Sequence, residues 1–137
     1  MTYEIIDHTA DLGLHVTAAD PSDLFATAAR GLFDVIVSAD SLRPRRTLSL
    51  KVAGADWPDL LVNWLRELLY LWSGKGFLVH SVRIHDIAAD RIAADVAVDI
   101  FDPARHAIDC EIKAVTYHQV AVDRTSTGWE AKIIFDV

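Results

Sequence analysis

Ile92-Ala93-Ala94-Asp95-Val96-Ala97-Val98-Asp99-Ile100 alternates apolar and polar positions, with Ile92, Ala94, Val96, Val98 and Ile100 on one face and Asp95 and Asp99 on the other. A period of two over nine residues is the signature of a half-buried strand. Upstream, Val82 and Ile84 repeat the pattern, as do Leu48, Leu50 and Val52. Between those two rows the period changes. Asp56 and Pro58 announce a helix start, the apolar stripe Leu61, Trp64, Leu65, Leu68, Leu69 and Trp72 follows, and Ser73-Gly74 supplies a stop. That predicts a helix over about 57–73. An earlier helix is predicted over about 21–37. Asp20 can cap its first amides, Pro21 suits its first turn, Asp23 complements its dipole, and Leu24, Ala28, Leu32 and Val35 recur at helical spacing.

The two ends of the chain read as paired strands. One pair, at about 3–7 and 12–18, flanks Asp7-His8-Thr9-Ala10-Asp11; a hairpin at 111–122 and 129–136 turns between Asp123 and Gly128. The order is strand, strand, helix, strand, helix, then four strands. It lacks regular βαβ repetition and points to a single α+β domain in which two helices cover a mixed, largely antiparallel sheet. In the hairpin, Trp129, Ala131, Ile133 and Phe135 form an apolar row expected to share a face with Val122, Val120, Ala114 and Ile112. That register sets Lys113 and Asp136 together on the other face, as near-diagonal neighbours. It also drops Thr116 and His118 into an apolar row, where each would need a hydrogen-bond partner. Periodicity leaves a structural and a functional role open for both.

The chain has 137 residues, 52% of them hydrophobic, enough for one domain with a real core. No uncharged apolar run of about 18 residues occurs, and the start Met1-Thr2-Tyr3-Glu4-Ile5 lacks a basic segment followed by an apolar one. The expectation is a cytoplasmic protein without a membrane span. A net charge of −7 opposes broad capture of nucleic acid, so no stable RNA binding is expected. Arg43-Pro44-Arg45-Arg46 is the local exception, read as a solvated loop or as a contact for an acidic partner or a phosphate. Cys110 lies between Asp109 and Glu111, whose charges oppose thiolate formation, and carries no expected chemistry.

Asp7, His8 and Asp11 sit at the junction of two short strands. Aspartates there commonly accept from nearby amides. If the chain ends meet, however, these residues converge with Asp136 and the terminal carboxylate of Val137. Such a set of oxygens and one imidazole suits calcium, magnesium or manganese rather than structural zinc. Lys113 would balance those carboxylates, contact a phosphate, or simply pair with Asp136. No glycine-rich phosphate loop, G-x-S-x-G elbow, zinc-spaced cysteine set or dinucleotide fingerprint occurs. The residues alone leave three readings open: a protein that assists another enzyme, a metal-dependent phosphate-ester hydrolase, and a general chaperone or interaction module.

The chain resembles the archease family through several ordered blocks. These are Tyr3-Glu4 with Asp7 to Gly13, Leu32 to Val35, Asn63 to Tyr70, Asp102 to His106, Glu111 to His118, Gly128 to Ala131, and Asp136. Arg66 departs from the residue most expected in the long-helix block. The resemblance implies a small α+β protein that is not itself an enzyme. Its partner would be an RtcB-type RNA ligase of tRNA splicing or RNA repair. It would promote guanylylation and repeated turnover of that ligase, and broaden its nucleotide use, with GTP and manganese held by the ligase. It further implies a metal site at Asp11, Asp136 and Val137, calcium first among the candidates. His8 and Lys113 would be neighbouring functional positions, with Asp7, Thr116 and His118 in support.

Overall fold

A computed structural model describes residues 2–7 and 11–137. The chain forms β1 (Thr2–Asp7), β2 (Asp11–Ala18), α1 (Pro21–Ile36), a single 3-10 turn (Ala39–Ser41), β3 (Arg46–Ala53), α2 (Trp57–Lys75), β4 (Phe77–Ala88), β5 (Arg91–Ile100), β6 (Ala114–Thr125) and β7 (Gly128–Asp136). Both helices begin where the caps predict: Asp20 accepts from the Asp23 amide at 2.8 Å and Asp56 from the Asp59 amide at 3.0 Å. The second helix runs two residues past the expected stop. Gly74 lies within its last turn, and Gly76, at φ 73°, adopts the left-handed conformation that ends it.

The two helices and the antiparallel strands are as the sequence predicts, but the single mixed sheet is two sheets. One has the order β1-β2-β7-β6 and the other β3-β5-β4, and every named pair is antiparallel. Each helix packs against both: α1 on β2 and β4, α2 on β6, β4 and β3. The buried residues consequently form one core cluster, with Trp64, Phe25, Phe135 and Leu14 among its largest fully buried side chains. The Trp64 indole is apolar except for one N–H, which donates to the Phe25 carbonyl at 3.1 Å and ties α2 to α1. Among the described residues no helix is long and apolar enough to cross a membrane.

The last hairpin departs from the expected register. Val122 does oppose Ala131, but a bulge follows between Thr116 and Ala121, with Gln119 at φ 54°. Beyond it the parity is inverted, so Val115 rather than Ala114 opposes the buried Phe135. At the other end of β7, Gly128 has φ 154°, and a Cβ there would collide with the Ala18 carbonyl oxygen. Gly128→Ala should therefore cost about 1–3 kcal/mol, read as an earlier urea midpoint with an unchanged slope.

Candidate functional site

The alternation of β2 sends Leu14, Val16 and Ala18 into the core and leaves Asp11 on the face with Gly13 and His15. The same rule applied to β7 buries Ile133 and Phe135 and turns Asp136 outward. Pairing of these strands makes Asp11 and Asp136 direct cross-strand partners at the end of the sheet. Two like-charged residues directly opposite one another on a sheet repel.

The third strand brings in the lysine by its main chain. Ala114, not Lys113, opposes Asp136, while the Lys113 amide donates to the Asp136 carbonyl at 2.8 Å. The expected diagonal pairing of Lys113 with Asp136 is therefore replaced, because the bulge has shifted the strand by one face. Lys113 is exposed and enters no ion pair among the described residues. Val137 is partly buried and packs against the core. His8 and the side chain of Asp7 lie outside the described residues. Through its backbone, Asp7 pairs with Leu12 next to Asp11.

Thr116 and His118 do not lie in a buried row. The Thr116 hydroxyl donates to the Ile134 carbonyl at 3.0 Å and accepts from the His118 amide at 3.2 Å, which fastens the bulge, and the His118 side chain is exposed. Arg66 braces the same region from α2. Its Nε donates to the Val115 carbonyl at 3.0 Å and its guanidinium lies 4.7 Å from the Tyr117 ring centroid. The Tyr117 hydroxyl donates to Asp59 at 2.6 Å, a contact that raises the phenol's pKa and lowers the carboxylate's.

Among the described residues there is no group of three or more His, Cys, Asp or Glu side chains able to hold a metal. The hard oxygens of Asp11 and Asp136 fit a divalent cation of the calcium or magnesium class only with further oxygens, for which main-chain groups at Val137 are the nearest source in sequence.

A second constellation escaped the sequence reading. Asp99, expected on the solvent face of β5, is fully buried, whereas Ile100 is 45% exposed. The strand's alternation stops at Val98. Asp99 accepts from the amides of Arg43 (2.9 Å) and Ile100 (2.8 Å), from His106 Nε2 (2.9 Å) and from the Arg105 guanidinium (3.2 Å), and it forms an ion pair with Arg45 Nε at 3.3 Å. His106 Nδ1 accepts from the Asp102 amide at 2.9 Å, so its ring proton sits on Nε2, facing the carboxylate. Burial alone would raise the Asp99 pKa. Hydrogen bonds from Arg105, the Arg43 amide, His106 and the Ile100 amide outweigh it and hold the carboxyl well below the usual range. The signal was available in the spacing of Arg43, Arg45, Asp99 and Asp102 to His106, yet only the fold shows that one buried acid collects them.

Elsewhere, Tyr3 joins β1 to α1 by donating to Asp34 Oδ2 at 2.5 Å. Its phenol is pushed up to about 12 by burial and by that carboxylate.

The family model described as the Archease protein family matches residues 3–137. This chain belongs to the archease family. An archease of Methanopyrus kandleri is 32% identical, with all of both chains covered. One of Pyrococcus furiosus is also 32% identical, with 98% of each covered. Among solved structures, protein 1598 of Methanobacterium thermoautotrophicum superposes with a TM-score of 0.81 at 24% identity, covering 98% of each chain. A Thermotoga maritima archease, described as a possible chaperone, superposes with a TM-score of 0.67 at 18% identity, covering 100% of this chain and 98% of that one. These last two likenesses speak to the fold: two helices on antiparallel sheets are the archease architecture.

Proposed function

We propose that this archease is a non-catalytic, cytoplasmic activator of an RtcB-type RNA ligase, acting in tRNA splicing or RNA repair by promoting guanylylation of the ligase and its repeated turnover. The observation that carries the reading is the cross-strand pair Asp11 and Asp136, two outward carboxylates with Lys113 fastened to the same strand end. In this reading the acidic end enters the ligase's active site. There Asp11, Asp136 and main-chain oxygens at Val137 would hold a divalent cation, calcium first, with His8 alongside. A cation so held supplies charge neutralisation for a triphosphate during nucleotidyl transfer, while GTP and manganese belong to the ligase and the choice of nucleotide broadens. Lys113, whose side chain is exposed next to that strand end though off the Asp136 face, would reach the same phosphates only through its long, flexible stem. Asp7, Thr116 and His118 act in support, the last two by fixing the bulge that sets the position of Lys113.

A general chaperone needs contiguous exposed apolar surface. The large exposed hydrophobics among the described residues, Ile5, Tyr70, Ile100 and Tyr117, are instead divided among β1, α2, β5 and β6. The test is to count RNA joints made per ligase molecule with and without the chain, alongside the chain's own action on small phosphate esters. Turnover should rise from about one joint per ligase to many, and the chain alone should release no phosphate. Ester hydrolysis by the chain without ligase stimulation would replace the activator with a hydrolase.

A further inference from the structure

The buried Asp99 network has no part in the proposed chemistry, yet it organises a cationic patch on an acidic protein. Asp99 pins the Arg45 and Arg105 guanidiniums and the Arg43 main chain, while the Arg46 guanidinium lies 5.3 Å from the centroid of the Phe77 ring. The guanidiniums of Arg45 and Arg105 and the Arg43 backbone thus meet at Asp99, with Arg46 next along the chain, and Asp99 and Asp102 are the only acids paired with these arginines among the described residues. Ile100, next to Asp99 in sequence and paired with Phe77 across the β4–β5 ladder, supplies exposed apolar surface there.

One segment of chain links the patch to the strand end that carries Asp11 and Asp136. The segment that follows β5 crosses the C-terminal ends of both helices: Phe101 N–H donates to the Gly76 carbonyl after α2, and Asp109 N–H to the Ile36 carbonyl at the end of α1. It reaches Lys113, bonded to Asp136, seven residues after His106, a path of at most about 25 Å.

We infer that this arginine patch is a second docking surface, for a carboxylate-bearing face of the same protein partner that receives the acidic end. The inference rests on the activator reading for the identity of that partner. Three features favour an acidic protein face over RNA. The chain's net charge of −7 repels an approaching polyanion. Arginine beside exposed apolar surface is the composition of protein interface centres. Guanidiniums already held by Asp99 lose little freedom when they bind a second carboxylate. Separate basic and acidic surfaces on one domain also fix the orientation in which a partner of complementary pattern can dock.

The test uses R43E/R46E. Arg43 contributes its main-chain amide to Asp99, and Arg46 lies over Phe77 without bonding the acid, so the buried network survives both changes. Association of the protein with the cognate ligase is measured with and without RNA at two salt concentrations, together with the melting temperature and with guanylylation at saturating protein. The expected result is association slowed about tenfold at low salt and a flatter salt dependence. Melting temperature and saturated stimulation should stay unchanged. Unchanged association, with wild type binding and stimulating normally, overturns the inference and spares the activator reading. A defect that appears only when RNA is present assigns the patch to RNA and overturns it as well. A wild-type chain that neither binds nor stimulates the ligase overturns both.

Discussion

Replacing Asp99 by alanine is expected to destabilise the protein by about 3 kcal/mol, a large share of a typical domain's roughly 5–15 kcal/mol. The substitution orphans the Arg43 and Ile100 amides and the His106 Nε2–H, and it removes the counter-charge from two guanidiniums. Breaking a buried ion pair costs about 3–5 kcal/mol. The lower end applies because the Arg45 side chain is 53% exposed and can turn to water. The measurement is urea unfolding at neutral pH. A loss below about 0.5 kcal/mol, the range of ordinary surface changes, would contradict the account of this acid as the anchor of the end loops.

The same group gives the acid limb of stability its sign. The Asp99 carboxyl is held below its ordinary value in the folded state, so on acidification the unfolded chain takes up its proton first. Its contribution is complete above the unfolded value of about 3.9 and is lost as the pH falls through the lower folded value. The melting temperature of the wild type should fall below about pH 4. That of Asp99→Asn, lower at neutral pH, should fall less over the same interval. Parallel curves would mean that other carboxylates govern the acid limb.

Asp11→Asn and Asp136→Asn should reduce stimulation of the ligase about 100-fold, the scale for removing one group that stabilises charge at a reacting centre. Neither should destabilise the fold. The two carboxylates face each other across β2 and β7, and neutralising one relieves a like-charge contact, so the melting temperature without added divalent cation should hold or rise. Added calcium should raise the wild-type melting temperature and leave that of the double variant unmoved, through binding to the folded state alone. A calcium response retained by the double variant would place any cation site elsewhere.

Both helices were legible in the sequence because Asp20 with Pro21, and Asp56 with Pro58, are local signals that act through neighbouring amides. The meeting of Asp11 with Asp136 was legible only as a condition, that the chain ends meet, and through the family resemblance, because alternation says which face a strand buries but not which strand it pairs with. What the sequence hid depended on breaks in alternation. The bulge at 117–120 inverts which face β6 presents, moving Lys113 off the Asp136 face and freeing His118 from the core. The end of β5 does the reverse, burying Asp99 and exposing Ile100. A period of two carries no mark of where it will fail. The reason for each failure lies in distant partners, Ile134 for the bulge and Arg43, Arg105 and His106 for the acid.

The central claim is that the acidic end of this archease acts on its partner's guanylylation. It is tested most directly by GTP-dependent guanylylation of the cognate RtcB-type ligase under multiple-turnover conditions, comparing wild type, folded Asp136→Asn and no added chain. The account predicts strong stimulation by wild type and a level close to the no-chain control with Asp136→Asn. Full stimulation by the folded variant would contradict it.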